Sequence, residues 1–488
     1  MRRLRLSEAT LTQARLGTAR PGYVREACRV GWVHFGPGAF HRAHQAYYAD
    51  RLLERDPRWA ISAVSLRSVG AREALSRQDY LYCLAELGGA PQVRIIGALR
   101  EILAAPADRD AVLARLEAPE TRIVTLTVTE KGYCLGPDGQ LDPRHPDIAH
   151  DLGSAAPARS LIGFLAEGLW RRRAHGHTPF AVVSCDNLPD NGPTLRAAVA
   201  AFAACRDRPF ARWIESEVAF PRTMVDSITP ATDAELIERV AEASGLEDAW
   251  PVQRERFTQW VIEDLPEVRV ADWTSVGVTL AADVSVYDRA KLRLVNGAHS
   301  TLAYIGLLRG RSTVAEAMRD APLARFLERL MREDIAPSLH GPGRPELSAY
   351  IDATLERLRN PSVRHRLAQI AWDGSKKLPV RLLSTMSEAL AAGRPIERLA
   401  LPIAAWLRFV VACARAGEAL TDPAAERLLA LGRACTDEPE RDVARFLTLE
   451  DTFAPRMAAE PAFVRALVNA YRALGPGGAI PAAPGGGA

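Results

Sequence analysis

Five short apolar runs, separated by helix-like stretches, constrain this chain more than any other feature. They are Arg29–Phe35, Ala60–Leu66, Val93–Ile96, Arg122–Val128 and Phe180–Ser184. Continuous β-branched and apolar segments of this length suit strands buried on both faces of a parallel sheet. Helical stretches such as His41–Leu53 and Ser160–Arg173 lie between them. The alternation predicts an α/β fold, with a Rossmann-like, doubly wound parallel sheet over residues 1–285. From about Val286 the pattern turns to long helical segments divided by Gly- and Pro-rich turns, among them Asp288–Arg309, Thr313–Glu333 and Leu399–Ala416. A mostly α-helical second domain is expected over 286–474. The tail 475–488 is almost entirely Gly, Pro and Ala and is expected to be disordered.

Composition excludes several classes. The 62 basic and 59 acidic residues nearly cancel, leaving a net charge of +3. Nothing there suits nucleic acid or an anionic membrane as the main partner. Seven cysteines lie far apart, with no Cys-x-x-Cys. That speaks against a disulfide framework or structural zinc and for a reducing compartment. No run of eighteen apolar residues occurs and the first nineteen residues carry no apolar core of signal length, so a cytoplasmic protein is expected. The oligomeric state stays open.

The first run leads straight into Gly36-Pro37-Gly38-Ala39-Phe40-His41-Arg42. Glycines after a first strand let the backbone turn tightly and approach a pyrophosphate, while the following helix start offers free N–H groups. Gly36, Gly38, Ala39 and Phe40 are therefore candidate dinucleotide-binding residues, although the third glycine of the usual fingerprint is missing. An NAD enzyme usually carries an acid at the end of the second strand. Here the sequence reads Val64-Ser65-Leu66-Arg67-Ser68. Arg67 either meets a 2′-phosphate or is a solvated or adenine-stacking residue, so NAD and NADP both remain open.

The segment Asp288 to Ser300 carries the chemistry. On a uniform α-helix Asn296 lies roughly 140° and His299 roughly 80° around from Lys291. Lys, Asn and His among Leu, Val, Ala and Gly are costly to bury without purpose. A desolvated lysine can take a proton from a secondary alcohol without a metal. Asn296 can donate to the developing alkoxide, and His299 can orient a hydroxyl. The plainer alternative is a surface lysine, a helix irregularity and a satisfied core histidine. Two loops add candidates: Ser184–Gly192, at the end of an apolar strand, and Phe220–Pro230, with the single acid Asp226. Taken singly, each reads more readily as a capped turn.

Taken together, the Gly36–Gln45 loop, Ser184–Gly192, Met224–Pro230, Gln259–Asp264 and Lys291–Ser300 resemble the mannitol dehydrogenase family of polyol-specific long-chain dehydrogenases. The resemblance runs from Val33 to about Leu474. It implies a metal-independent NAD(P) enzyme acting at C2 of a linear sugar alcohol, ketose or keto-uronate, typically with NAD. It also implies roles: Lys291 as general base, Asn187 and Asn296 on the reacting oxygen, and His299 and Asp226 near the substrate. Asp288 would relay the proton, and Lys377 would contact substrate. Ser227 and Pro37 depart from the family's usual residues. The basic set Arg364, His365, Arg366, Lys376, Lys377 and Arg381 suits a carboxylate at the far end of the substrate. The reading therefore leans to a fructuronate reductase, with mannitol 2-dehydrogenase as the alternative. A zinc alcohol dehydrogenase using His41 and His44, and a non-catalytic nucleotide-binding regulator, are the rivals.

Overall fold

The computed structural model describes residues 3–88, 92–153, 158–340, 346–475 and 477–480. The chain forms two compact units, Met1–Ser285 and Val286–Ala488.

The first unit is built on five parallel strands. In chain order these are β1 (Val30–Phe35), β2 (Ala60–Ser65), β3 (Leu99–Ala104), β4 (Ile123–Leu126) and β5 (Ala181–Ser184). Their order in the sheet is β3-β2-β1-β4-β5. The order reverses between β1 and β4, and such a switch point opens a crevice at the carboxyl ends of the strands. Alternate side chains serve the two faces. Val33, Phe35, Val124 and Leu126 enter one apolar cluster, and Trp32, Ile61, Ala63 and Ile123 enter another. Both faces are covered, which explains why the strands read as continuous apolar runs.

Two expectations are corrected. The run Val93–Ile96 is a strand, Gln92–Ile96, but it pairs antiparallel with Tyr82–Leu87 in a separate three-stranded sheet. The third central strand is Leu99–Ala104, whose Arg100 and Glu101 interrupt the apolar run and hide it from a hydrophobicity reading. The helix expected at His41–Leu53 is two pieces, Ala39–Ala43 and Gln45–Leu53, because His44 leaves helical geometry at φ −119°, ψ −84°.

The turn after β1 depends on Gly36. Its φ is +93°, and a Cβ there would lie 2.2 Å from the Thr127 carbonyl oxygen. Gly38 is different: its φ is −72° and a Cβ would meet nothing nearer than 4.0 Å. The first glycine relieves crowding within the protein, and the second leaves open space above the helix start.

The second unit is helical, and its long first helix is not uniform. Ser285–Ala290 and Gly297–Leu308 are α-helical, whereas Lys291–Asn296 between them is π-helical. The Gly297 N–H accordingly reaches the Leu292 carbonyl five residues back. Further π-helical turns occupy Leu330–Ile335 and Pro379–Leu383. Among the described residues one helix, Glu397–Ala416, is long and apolar enough to cross a membrane by length and composition. Of its most apolar window 78% is buried within the protein, and it packs against Gly297–Leu308, Ala425–Arg433 and Pro461–Leu474 as a core helix. Of the expected tail, residues 475 and 477–480 are described. There the Gly478 carbonyl accepts from Arg309 at 3.3 Å. Residues 476 and 481–488 lie outside the described residues.

The two glycines should separate in a denaturation experiment. Gly36→Ala is expected to lose about 2 kcal/mol or more, from the clash and the left-handed backbone together. Gly38→Ala should stay within about 0.5 kcal/mol of the parent. Urea unfolding curves of the two variants check this.

Candidate active site

In the first unit the base of the glycine turn is held by a buried polar network. His34 on β1 places Nδ1 2.6 Å from the Thr125 hydroxyl, and Nε2 3.1 Å from both the Gly36 carbonyl and the Thr127 hydroxyl. The Thr127 hydroxyl also donates to the Gly36 carbonyl at 2.8 Å. His41 stacks on His34 with ring centroids 3.4 Å apart. Burial pulls His34 down to about 3. His41 is pulled well below the usual histidine range by burial first, then by His34, Arg42 and His44, against a small opposing effect of the Gln45 side chain. Both rings are therefore neutral in the folded protein at neutral pH.

A cleft of about 340 Å³ opens beside this turn. Gly36, the Ser65–Ser68 loop after β2 and the Val128–Thr129 segment after β4 line it, so it lies at the carboxyl edge of the sheet. Arg67 and Asp147 line it as well and pair at 3.2 Å. Gly38 is exposed, while Ala39 and Phe40 are half-buried, with Phe40 stacked on His44 at 4.9 Å. A turn that only glycine can make, open space at Gly38 and a cleft beside the turn fit a dinucleotide with its pyrophosphate over the turn. Sequence reasoning found the glycines and Arg67. It missed His34, Thr127 and Asp147, because their partners are 91, 91 and 80 residues distant.

Asn187 and Asp226 also belong to the first unit. Asn187 is exposed in the loop after β5. That loop is pinned by Asn191, whose amide nitrogen donates to the Thr223 carbonyl at 3.0 Å and whose side-chain oxygen accepts from the Thr223 N–H at 3.1 Å. Asp186 in the same loop accepts from the Thr129 N–H at 2.8 Å. Asp226 is buried at the end of strand Thr223–Asp226, with Gln259 opposite it on the neighbouring strand.

In the second unit Lys291 and Asn296 bound the π-helical turn, and both are half-buried. The expected separation of about 140° assumed a uniform α-helix. In an i→i+5 turn residue i+5 returns over residue i, so Asn296 comes back towards the face of Lys291. His299, one turn further on, is buried and meets His365 edge-on at 5.1 Å. The His365 backbone is tied down where its carbonyl accepts from the Val314 N–H at 3.0 Å. Arg381 reaches across from the Pro379–Leu383 π-turn. It donates to the Ser300 hydroxyl at 3.1 Å and to the Asn296 carbonyl at 3.4 Å. Gly297 permits that approach, because a Cβ there would lie 3.3 Å from the Arg381 carbonyl.

Lys377 is half-buried. Burial lowers its pKa first, and the charge of Arg381 adds to this, opposed by Asp373 and Asp422. Its motif is held by Asp422, which accepts from the Ser375 N–H at 2.9 Å. Burial and the Lys377 charge together lower His365. Of the basic set named from sequence, His365, Lys377 and Arg381 form this half-buried group, whereas Arg364, Arg366 and Lys376 are exposed. Among the described residues no group of three or more His, Cys, Asp or Glu is placed to hold a metal ion.

Comparison with known proteins gives the family. The mannitol dehydrogenase Rossmann domain matches residues 30–273, and the mannitol dehydrogenase C-terminal domain matches residues 283–475. The chain belongs to the mannitol dehydrogenase family. It is thus an oxidoreductase acting on CH–OH groups with a nicotinamide cofactor, which sets aside the reading as a non-catalytic regulator. It is 40% identical over 474 residues to D-mannonate oxidoreductase of Escherichia coli (strain K12), covering 95% of this chain and 97% of that one. It is 36% identical to Pseudomonas fluorescens mannitol 2-dehydrogenase, solved as a ternary complex with NAD and D-mannitol. That likeness has a TM-score of 0.81 and covers 96% of this chain and 97% of that one. A D-sorbitol dehydrogenase solved without substrate is 31% identical, with a TM-score of 0.85, covering 98% of this chain and all of that one.

The neutral histidines set a pH dependence. A base held neutral in the fold binds fewer protons than in the unfolded chain, so its contribution is complete above about pH 6.5 and is lost as pH falls from there. Replacing His41 by leucine should remove its share. The fall in unfolding free energy between pH 6 and pH 5 is expected to be about 1 kcal/mol smaller in His41→Leu than in the parent. Urea unfolding at the two pH values measures it.

Proposed function

We propose that the protein is a cytoplasmic, NAD-dependent fructuronate reductase that interconverts D-fructuronate and D-mannonate. The observation that carries the substrate is the cationic group around His299. Arg381 is half-buried and, among the described residues, has no carboxylate pairing with it. Lys377 lies close enough for the two charges to oppose each other. A half-buried cation with no acid of its own, beside a second cation, suits a carboxylate on the ligand better than a neutral polyol. The 40% identity to a D-mannonate oxidoreductase supports the same reading. Seven free cysteines are consistent with a reducing compartment.

In this reading the nicotinamide coenzyme, held by the first unit, would supply the hydride for the ketone carbon. Lys291 gives a proton to the substrate oxygen during reduction and takes it during oxidation. Asn187 and Asn296 donate hydrogen bonds to that oxygen as charge develops on it. His299 and Asp226 orient the neighbouring hydroxyls. Asp288, three residues before Lys291, passes the proton to water. Lys377 and Arg381 hold the far carboxylate. Gly36, Gly38, Ala39 and Phe40 hold the coenzyme, and Arg67 stands at its adenosine end.

The second reading is mannitol 2-dehydrogenase, favoured by the Pseudomonas fluorescens enzyme in complex with D-mannitol. Initial rates of NADH consumption decide between them. Fructuronate is expected to give the higher kcat/KM, and a clear preference for fructose would contradict the proposal. Arg381→Met should lower kcat/KM for fructuronate by about tenfold to a hundredfold more than for fructose, the range of one charge-assisted hydrogen bond.

A further inference from the structure

We propose that Asp147 selects the coenzyme, by masking Arg67 and accepting the ribose 2′-hydroxyl so that NAD binds and NADP is refused. This rests on the reading that the cleft beside Gly36 takes the adenosine end of the coenzyme. The strand that ordinarily carries the selecting acid, β2, ends at Ser65 and continues Leu66-Arg67-Ser68, with no carboxylate. A bare arginine at that place is the usual receptor for a 2′-phosphate. Arg67 is not bare. Its Nη2 lies 3.2 Å from a carboxylate oxygen of Asp147, which comes from the first turn of helix Pro146–Gly153, eighty residues further along the chain.

Both side chains line the same cleft as Gly36 and Ser65. The pair is open to water, with Arg67 79% and Asp147 31% exposed, so it adds little to folding. Its significance is the sign of the charge at the cleft wall. A 2′-phosphate would bring a charge of roughly −1.5 to −2 against the carboxylate already seated on Arg67. A 2′-hydroxyl would instead donate a hydrogen bond to it. Asp147 thus does from a distant helix what the missing β2 acid does elsewhere. Lys131 and Arg159 are further cations lining the cleft, so the test has to isolate Arg67.

Direct titration of NADH and NADPH onto the purified protein, followed by calorimetry with no sugar present, tests the idea separately from the substrate assignment. The parent is expected to bind NADH about tenfold or more tighter than NADPH. Asp147→Asn, nearly isosteric and part-exposed, should raise NADPH affinity by about tenfold and weaken NADH. Adding Arg67→Ala to it should abolish the NADPH gain. A NADH-to-NADPH ratio within about twofold of the parent in Asp147→Asn would overturn the proposal, as would a double variant that keeps the gain. Binding of neither coenzyme to the parent would overturn the cleft assignment itself. Thermal melts of both variants confirm that each is folded.

Discussion

A hydrogen bond that skips one residue too many organises the helical half of this molecule. The Gly297 N–H reaches Leu292, and the turn Lys291–Asn296 is wider than an α-helix permits. Such turns are rare and concentrate at functional sites, because isolated helices have no reason to adopt them. Here the neighbours impose it. Arg293, buried inside the turn, donates to Glu388 at 2.6 Å and to the Ser338 hydroxyl at 2.9 Å. The Arg293 guanidinium in turn holds the Glu388 carboxyl below its usual range. From another side Arg381 donates to the Asn296 carbonyl at 3.4 Å. Tertiary contacts thereby fix where Lys291 and Asn296 stand relative to His299.

The nucleotide half follows a different logic. Its geometry is set by one glycine that the backbone of Thr127 leaves no room to replace, and by a neutral histidine beneath it. A charged imidazolium there would be desolvated at high cost, so the network is fixed in one protonation state. That rigid base leaves the adaptable part of the site, Arg67 and Asp147, at the cleft wall where charge can select a ligand.

Much of this was legible in the chain. Four of the five central strands show as apolar runs because both faces of the sheet are covered. The helical second unit, the glycine turn and the Lys291–His299 segment show in short-range pattern. What stayed hidden is what depends on distance. Leu99–Ala104 carries charges at its edge position and looks unlike a buried strand. The π-turn arises from Arg293, Glu388 and Arg381, residues up to 95 positions apart, so a local reading returns a regular helix. Asp147 has meaning only beside Arg67, and no spacing rule connects them.

In the proposed reaction the Lys291 amine on this widened turn moves the proton. Pre-steady-state reduction of fructuronate by the NADH-loaded Lys291→Ala variant tests it most directly. Hydride transfer is expected to slow by about a thousandfold or more, several kcal/mol of lost transition-state stabilisation, with NADH affinity unchanged. A variant that transfers hydride within about tenfold of the parent would show that Lys291 is not the proton carrier.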